Sequence, residues 1–201
     1  MKNKQQLIAG ITGGIGSGKT TAAKFFEEMG VPVYNSDVRA KLIQNEDPEV
    51  KAQIIALFGP KAYNDSGLNR AHIAQQIFNN KEQLNQLNSI VHPAVFRDFD
   101  HWKLQQTSNI VMKEAAILIE SGSYKDCDIV ISVLVEKEKR ITRTMERDHL
   151  TREEVLKRIN NQISDEERLE KSDFIIDNNG DLAHLQQEVE QTLNKIKKLL
   201  I

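Results

Sequence analysis

Apolar residues along the chain gather into short runs separated by stretches of helical spacing. Leu7 to Ile11 is a continuous apolar run that stops at a glycine-rich turn, the pattern of a strand buried on both faces. Ala22, Phe25, Phe26 and Met29 then recur at helical intervals until Gly30 and Pro32 end the helix. Val31 to Tyr34 reads as a second short strand, and a new helical pattern opens at Asn35-Ser36-Asp37. From Asp47 to about Gln106 the pattern is helical with no convincing strand. Asp47 is placed to cap a helix whose first residue is Pro48, and Gly59-Pro60 and the polar run Asn64 to Gly67 punctuate the block. His92-Pro93 is expected to bend or break a long helix, because proline lacks the backbone donor. Strand character returns at Asn109 to Met112, Asp128 to Val135 and Phe174 to Ile176, while Ala115 to Glu120 suits either helix or strand. Thr151 with Glu154, and Ser164 with Glu167, predict capping boxes for two short helices. The closing helix carries Leu182, Leu185, Val189, Leu193 and Ile196 on one stripe.

Strands alternating with helices predict an α/β fold with a parallel sheet flanked by helices. The block 47–106 interrupts that alternation and predicts a helical subdomain inserted between the second and third strands.

The turn after the first apolar run fits G-x-x-x-x-G-K-[ST] at Gly13, Gly18, Lys19 and Thr20, with the strand before it and the helix after it that the motif requires. This predicts a P-loop NTPase fold. The loop Gly13, Gly14, Ile15, Gly16, Ser17 and Gly18 lets successive backbone N–H groups turn inward on phosphate, and the helix start at Gly18 adds a favourable dipole. Lys19 is expected to reach the β- and γ-phosphates, and Thr20 to offer its hydroxyl to Mg²⁺.

Composition changes the picture little. The 201 residues carry 27 basic and 29 acidic side chains and a net charge of −2, so no global field favours nucleic acid or an anionic membrane. Anion binding is therefore local. One cysteine, Cys127, excludes an internal disulfide and a cysteine metal cluster and fits a reducing compartment. About five apolar residues follow the polar N-terminus, too few for a signal peptide or a membrane span. The expectation is a cytoplasmic protein without membrane or nucleic-acid partners.

A P-loop specifies a nucleoside triphosphate, not its fate. Asp37, just beyond the second strand, stands where open α/β sheets gather ligands. It reads equally as a carboxylate that addresses an acceptor hydroxyl or as a cap of the next helix. Arg140, Arg143 and Arg147 share one helical face that could close over a nucleotide, but interleaved glutamates such as Glu138 and Glu146 also suit an ordinary solvated helix. His72 and His92 lack a second metal ligand at helical spacing. Lys41 and Arg70 suit an acceptor phosphate or simply the surface.

Several segments together resemble the dephospho-CoA kinase family. They are Ile11 to Thr20, Ser36-Asp37, Leu68-Asn69-Arg70, Ile90-Val91-His92-Pro93, Leu118 to Gly122, Arg143 to Asp148, Arg158 with Gln162, and Ser172 to Ile176. The resemblance spans nearly the whole chain in order. It implies ATP-dependent phosphorylation of the ribose 3′-hydroxyl of dephospho-CoA, a core of residues 1–46, 107–138 and 172–201, an acceptor subdomain 47–106 and a lid 139–171. Carried over by position, Asp37 becomes the base or hydroxyl-orienting residue, assisted by Lys19. Thr12, Lys41, Arg70, His92 and Glu120 become acceptor-side candidates. Arg143 and Arg147 fall in the lid, Asn178 where adenine is approached, and Thr21 beside the cradle. A monomer or small homo-oligomer is expected. The chain departs from the family's frequent Asp-Ala-Asp at Asn35-Ser36-Asp37, carries Ala116-Ile117-Leu118-Ile119-Glu120 for Pro-Leu-Leu-Phe-Glu, and has Lys41 where arginine or histidine is common.

The alternatives are a kinase of another small acceptor such as a nucleoside monophosphate, a GTP-driven switch, and a catalytically idle P-loop protein. A switch would carry Asn-Lys-x-Asp; the nearest segment, Asn80-Lys81-Glu82-Gln83, lacks the aspartate.

Overall fold

The first apolar run forms β1 (Leu7–Thr12), and the glycine-rich turn leads into α1 (Lys19–Glu28). After β2 (Val33–Asn35) come α2 (Ser36–Glu46), α3 (Pro48–Phe58), the two-residue strands β3 (Tyr63–Asn64) and β4 (Gly67–Leu68), α4 (Arg70–Ile77) and α5 (Lys81–Leu104). The remainder alternates through β5 (Ile110–Glu114), β6 (Ile129–Leu134), α6 (Lys137–Asp148), α7 (Arg152–Asn160), α8 (Asp165–Glu170), β7 (Phe174–Asp177) and α9 (Leu182–Lys198). This computed structural model describes residues 6–78 and 80–200; the polar residues 1–5, which enter the expectation of no signal peptide, lie outside them. The chain divides into two compact units, one running up to Asn35 and resuming at Gln106, the other Ser36–Gln105.

In the first unit the strands form one parallel sheet in the order β2-β5-β1-β6-β7. β1 is central and lies between β5 and β6, so its backbone donors and acceptors are taken on both sides. Alternate residues explain the two layers. Ala9 and Ile11 point into a core built with Ala22, Phe26, Ile131, Val189 and Leu193, so α1 and α9 cover that face. Gly10 points the other way, where a side chain would meet Leu118 Cδ2 at 2.7 Å and Cys127 Sγ at 2.8 Å. Leu118, Ala115 and Val130 make a smaller cluster on that face with Tyr124 and Cys127. Burial pushes the Cys127 thiol up to about 11, in keeping with its reading as a small hydrophobe.

Several boundaries differ from the pattern for identifiable reasons. β2 begins only after Pro32, because Val31 N–H still closes the α1 turn on Phe26. Residues 115–120 form neither helix nor strand, with consecutive turns from 116 onward. Leu182 is 62% exposed: it opens α9 directly after the Asp181 cap, outside the buried stripe of Leu185, Val189, Leu193 and Ile196. The Thr151–Glu154 capping box is complete. The second is half formed, since Ser164 Oγ accepts from Glu167 N–H at 3.0 Å while the carboxylate bonded to Ser164 is that of Glu166.

The second unit is mostly helical. Asp47 Oδ1 caps α3 by accepting from Glu49 N–H at 2.9 Å and Val50 N–H at 3.2 Å, as Asp47-Pro48 predicts. Helix α2 packs on α3 and α5 and so belongs to this unit. The run Asn64 to Gly67 is not a plain loop but the turn of the antiparallel pair β3–β4, with Asn64 Oδ1 accepting from Ser66 N–H at 2.9 Å. Helix α5 continues through Pro93. Val91, Ala94, Val95 and Phe99 are buried around the proline, and that packing outweighs a penalty of about 3 kcal/mol.

Candidate active site

The loop of residues 13–18 leaves the carboxyl end of the central strand and opens α1. Gly18 has φ 86°, a left-handed backbone that lets the loop turn into the helix. Three contacts from later in the chain hold the loop in shape. Ile15 N–H donates to Gln162 Oε1 at 2.9 Å, and Ile15 C=O accepts from Arg140 Nε at 3.0 Å. Asn178 Nδ2 donates to Ser17 C=O at 2.7 Å. Gly14 has no room for a side chain, because a Cβ there would strike the Arg140 guanidinium.

Arg140 is in turn held by Asp165, whose two oxygens lie 3.0 and 2.9 Å from Nη1. The same carboxylate accepts from Arg168 Nη1 at 2.7 Å, and Glu120 lies 3.8 Å from Arg168 Nη2. Both guanidiniums are buried, at 4% and 1% exposure. Burial holds Arg168 below its ordinary range, and Asp165 and Glu120 offset part of that. Removing Asp165 strands two buried cations. Asp165→Ala should therefore cost roughly 1–3 kcal/mol of stability, read as a lowered Tm, and loosen the loop enough to raise the KM for ATP.

At the start of α1 a second cluster forms around Glu114, the last residue of β5. Glu114 Oε1 accepts from Lys19 Nζ at 2.6 Å and from Thr20 Oγ1 at 2.7 Å, and Oε2 accepts from Asn35 Nδ2 at 2.6 Å. The Lys19 and Glu114 side chains are 10% and 3% exposed. Hence the lysine that the motif directs at phosphate has a protein counter-ion. A triphosphate entering here meets Glu114 as a like charge. At 4 Å such a pair costs about 4 kcal/mol for unit charges in an effective dielectric of 20, a repulsion that Lys19 or a divalent cation would offset. The hydroxyl of Thr20 and the carboxylate of Glu114 are hard oxygen donors suited to Mg²⁺, which takes few protein ligands beside phosphate and water. No group of three or more His, Cys, Asp or Glu suited to a metal occurs among the described residues. The hydroxyls of Thr12 and Ser17 are buried without hydrogen-bond partners among the described residues.

The other expected site residues divide between the two units. Arg143 Nη2 donates to Asn178 C=O at 3.3 Å, so Arg143 and Asn178 both lie at the loop. Asn178 turns its amide onto the loop backbone. Arg147 is not brought there; it hydrogen-bonds Asp148 at 2.7 and 3.1 Å and holds that carboxyl below the usual range. Thr21 lies in the first turn of α1. Glu120 pairs with Arg168 rather than with a residue of the Glu114 cluster.

In the helical unit, Asp37, Lys41 and Arg70 line one groove of about 520 Å³ with Gln44, Leu68 and Ile73. His92 is not in that lining; its ring meets Phe96 edge-on at 6.5 Å. Asp37 lies in the first turn of α2, one residue inside Ser36. The Ser36 hydroxyl, the other candidate cap, is buried without a hydrogen-bond partner among the described residues. Glu114 and Asp165 are additions to the residues expected from sequence; Arg140, read there as part of an arginine face that could close over a nucleotide, instead braces the loop backbone, and Gln162, which entered only through the resemblance, gains a specific contact.

A glycine-rich cradle on the central strand of a parallel sheet, followed at once by its lysine and threonine, defines a P-loop protein built to bind a nucleoside triphosphate. Shikimate kinase from Bacteroides thetaiotaomicron shares this fold at 13% identity, with a TM-score of 0.57. The family model described as dephospho-CoA kinase matches residues 7–184. A dephospho-CoA kinase of Fusobacterium nucleatum is 39% identical over 186 residues, covering 92% of this chain and 96% of its own. That of Chlorobium chlorochromatii is 37% identical over 204 residues, covering 98% and 96%. Among solved structures, a Thermus thermophilus protein superimposes with a TM-score of 0.85 at 31% identity over 95% of this chain and 98% of its own. Dephospho-CoA kinase from Campylobacter jejuni gives 0.69 at 26%, covering 96% and 98%. The chain belongs to the dephospho-CoA kinase family and is an ATP-dependent kinase.

Proposed function

We propose that the protein transfers the γ-phosphoryl group of ATP to the ribose 3′-hydroxyl of dephospho-CoA, with Mg²⁺ held by Thr20 and Glu114. The family match carries this reading, and the grouping of Asp37, Lys41 and Arg70 on one groove supports it from the acceptor side. The loop N–H groups and Lys19 bind the triphosphate, and Lys19 exchanges its hydrogen bond with Glu114 for one with phosphate. Thr20 and Glu114 would hold Mg²⁺, which when bound would help neutralise the charge of the triphosphate. Asp37 accepts or orients the 3′-hydroxyl proton, so the attacking oxygen gains electron density as its bond to the γ-phosphorus forms and the bond to the β–γ bridging oxygen breaks, releasing ADP. Lys41 and Arg70 neutralise the acceptor's own phosphates, while Ala40, Leu68, Ile73, Ala74 and Ile77 of the same groove take its apolar surface. The segment 139–171 serves as the lid that excludes water, with Arg143 on its loop-facing side. No described helix is long and apolar enough to cross a membrane.

The test offers the purified protein ATP and Mg²⁺ with either dephospho-CoA or a panel of nucleoside monophosphates, and measures ADP release. Turnover confined to dephospho-CoA supports the reading. Faster turnover with a nucleoside monophosphate overturns it in favour of another small-acceptor kinase.

A further inference from the structure

Asn35 and Glu114 face each other as paired residues at the carboxyl ends of the adjacent strands β2 and β5. Glu114 is buried, at 2% exposure, and its two oxygens have separate duties. Oε2 receives the Asn35 amide at 2.6 Å, whereas Oε1 receives Lys19 and Thr20 at 2.6 and 2.7 Å. A glutamate side chain has three torsions, so a carboxylate at the end of a strand is not self-orienting. The amide fixes which oxygen faces the nucleotide loop. An amide suits this place because it donates without adding charge; a second carboxylate at that distance would oppose ionisation of the first.

Building on the assignment of Thr20 and Glu114 to Mg²⁺, we propose that Asn35 is a positioning residue: by holding Oε2 it aims Oε1 at the metal-bound triphosphate. It touches neither substrate nor metal. Partners that orient a metal-binding carboxylate typically change metal affinity or activity by about 10–100-fold when removed. The effect of this contact on the metal is expected to run through Glu114.

The experiment measures nucleotide affinity by calorimetry without any acceptor, once with Mg²⁺ and once with EDTA, for the wild type, Asn35→Ala, Glu114→Gln and the double variant. Asn35→Ala should weaken Mg²⁺–ATP binding about 10-fold and leave metal-free ATP binding within about 2-fold. In the Glu114→Gln background the same substitution should add nothing, since coupled residues give a non-additive cycle. Circular dichroism and Tm, with Asn35→Ser as a milder variant, separate misfolding from lost positioning. Equal weakening with and without Mg²⁺, or full additivity in the double variant, overturns the proposal. Because no acceptor is present, a wrong acceptor assignment leaves this result intact; a Glu114→Gln variant that binds Mg²⁺–ATP normally would instead refute the metal assignment itself.

Discussion

Lys19→Ala should lower kcat for phosphoryl transfer by about 10²–10³-fold, the usual cost of removing one donor from a preorganised anion site. ATP affinity should fall as well, by roughly 10–100-fold, because a charge-assisted hydrogen bond contributes about 1.5–3 kcal/mol. The two losses have one origin. Lys19 begins α1 and its ammonium reaches toward the space enclosed by the loop, where it rests on Glu114. Removing it leaves the buried Glu114 carboxylate with Thr20 and Asn35 as donors but without its cation, so a lowered Tm should accompany the chemical defect. Steady-state kinetics with calorimetry on the same preparation checks this. An enzyme with unchanged transfer and affinity would refute the assignment of residues 13–20 as the triphosphate cradle.

Asp37→Ala should reduce kcat by about 10²–10⁴-fold, the range of general-base assistance, with ATP affinity preserved. The contrast with Lys19 lies in that preservation. Asp37 lines the groove with Lys41 and Arg70 rather than belonging to the loop unit. A carboxylate in a first helical turn also gains about 0.3–1 kcal/mol from the helix dipole, so the variant should unfold slightly earlier. That loss is too small to explain a hundredfold change in turnover. Near-normal kcat with only a lowered Tm would reduce Asp37 to a helix-stabilising residue.

Residues 7–20 were fully legible because a phosphate loop leaves almost no freedom in residue type. Glu114 was not. Lys113 and Glu114 are charged residues at 1% and 2% exposure inside a strand, and a charged pair reads as the strand's end when only apolar runs are followed. The relevant signal is positional: the residue that closes a strand beside the central one is placed to face the loop even when it is charged. Arg140 was read on a helical face, but its partner was hidden for a different reason. The α6 sequence alternates acids and bases as a solvated helix does, and the Asp165 that makes burial of Arg140 affordable lies beyond the next helix. Arg147, read from the same spacing, faces Asp148 instead. Local periodicity places residues on a face but cannot choose the partner across a tertiary contact. The β3–β4 pair illustrates the limit of length, since two residues per strand are too few for any alternation to register.

The central position of β1 also has a consequence for synthesis. Its partners are residues 110–114 on one side and 129–132 on the other. A ribosome adding about 5–20 residues per second makes β1 wait roughly 5–20 s for its first neighbour. During that interval Leu7 to Ile11 is an apolar strand with both edges open, the kind of segment that pairs with other chains. The helical unit, whose contacts close within 36–105, can form while β1 waits. The helical unit is thus free to fold before the sheet that carries the glycine-rich loop.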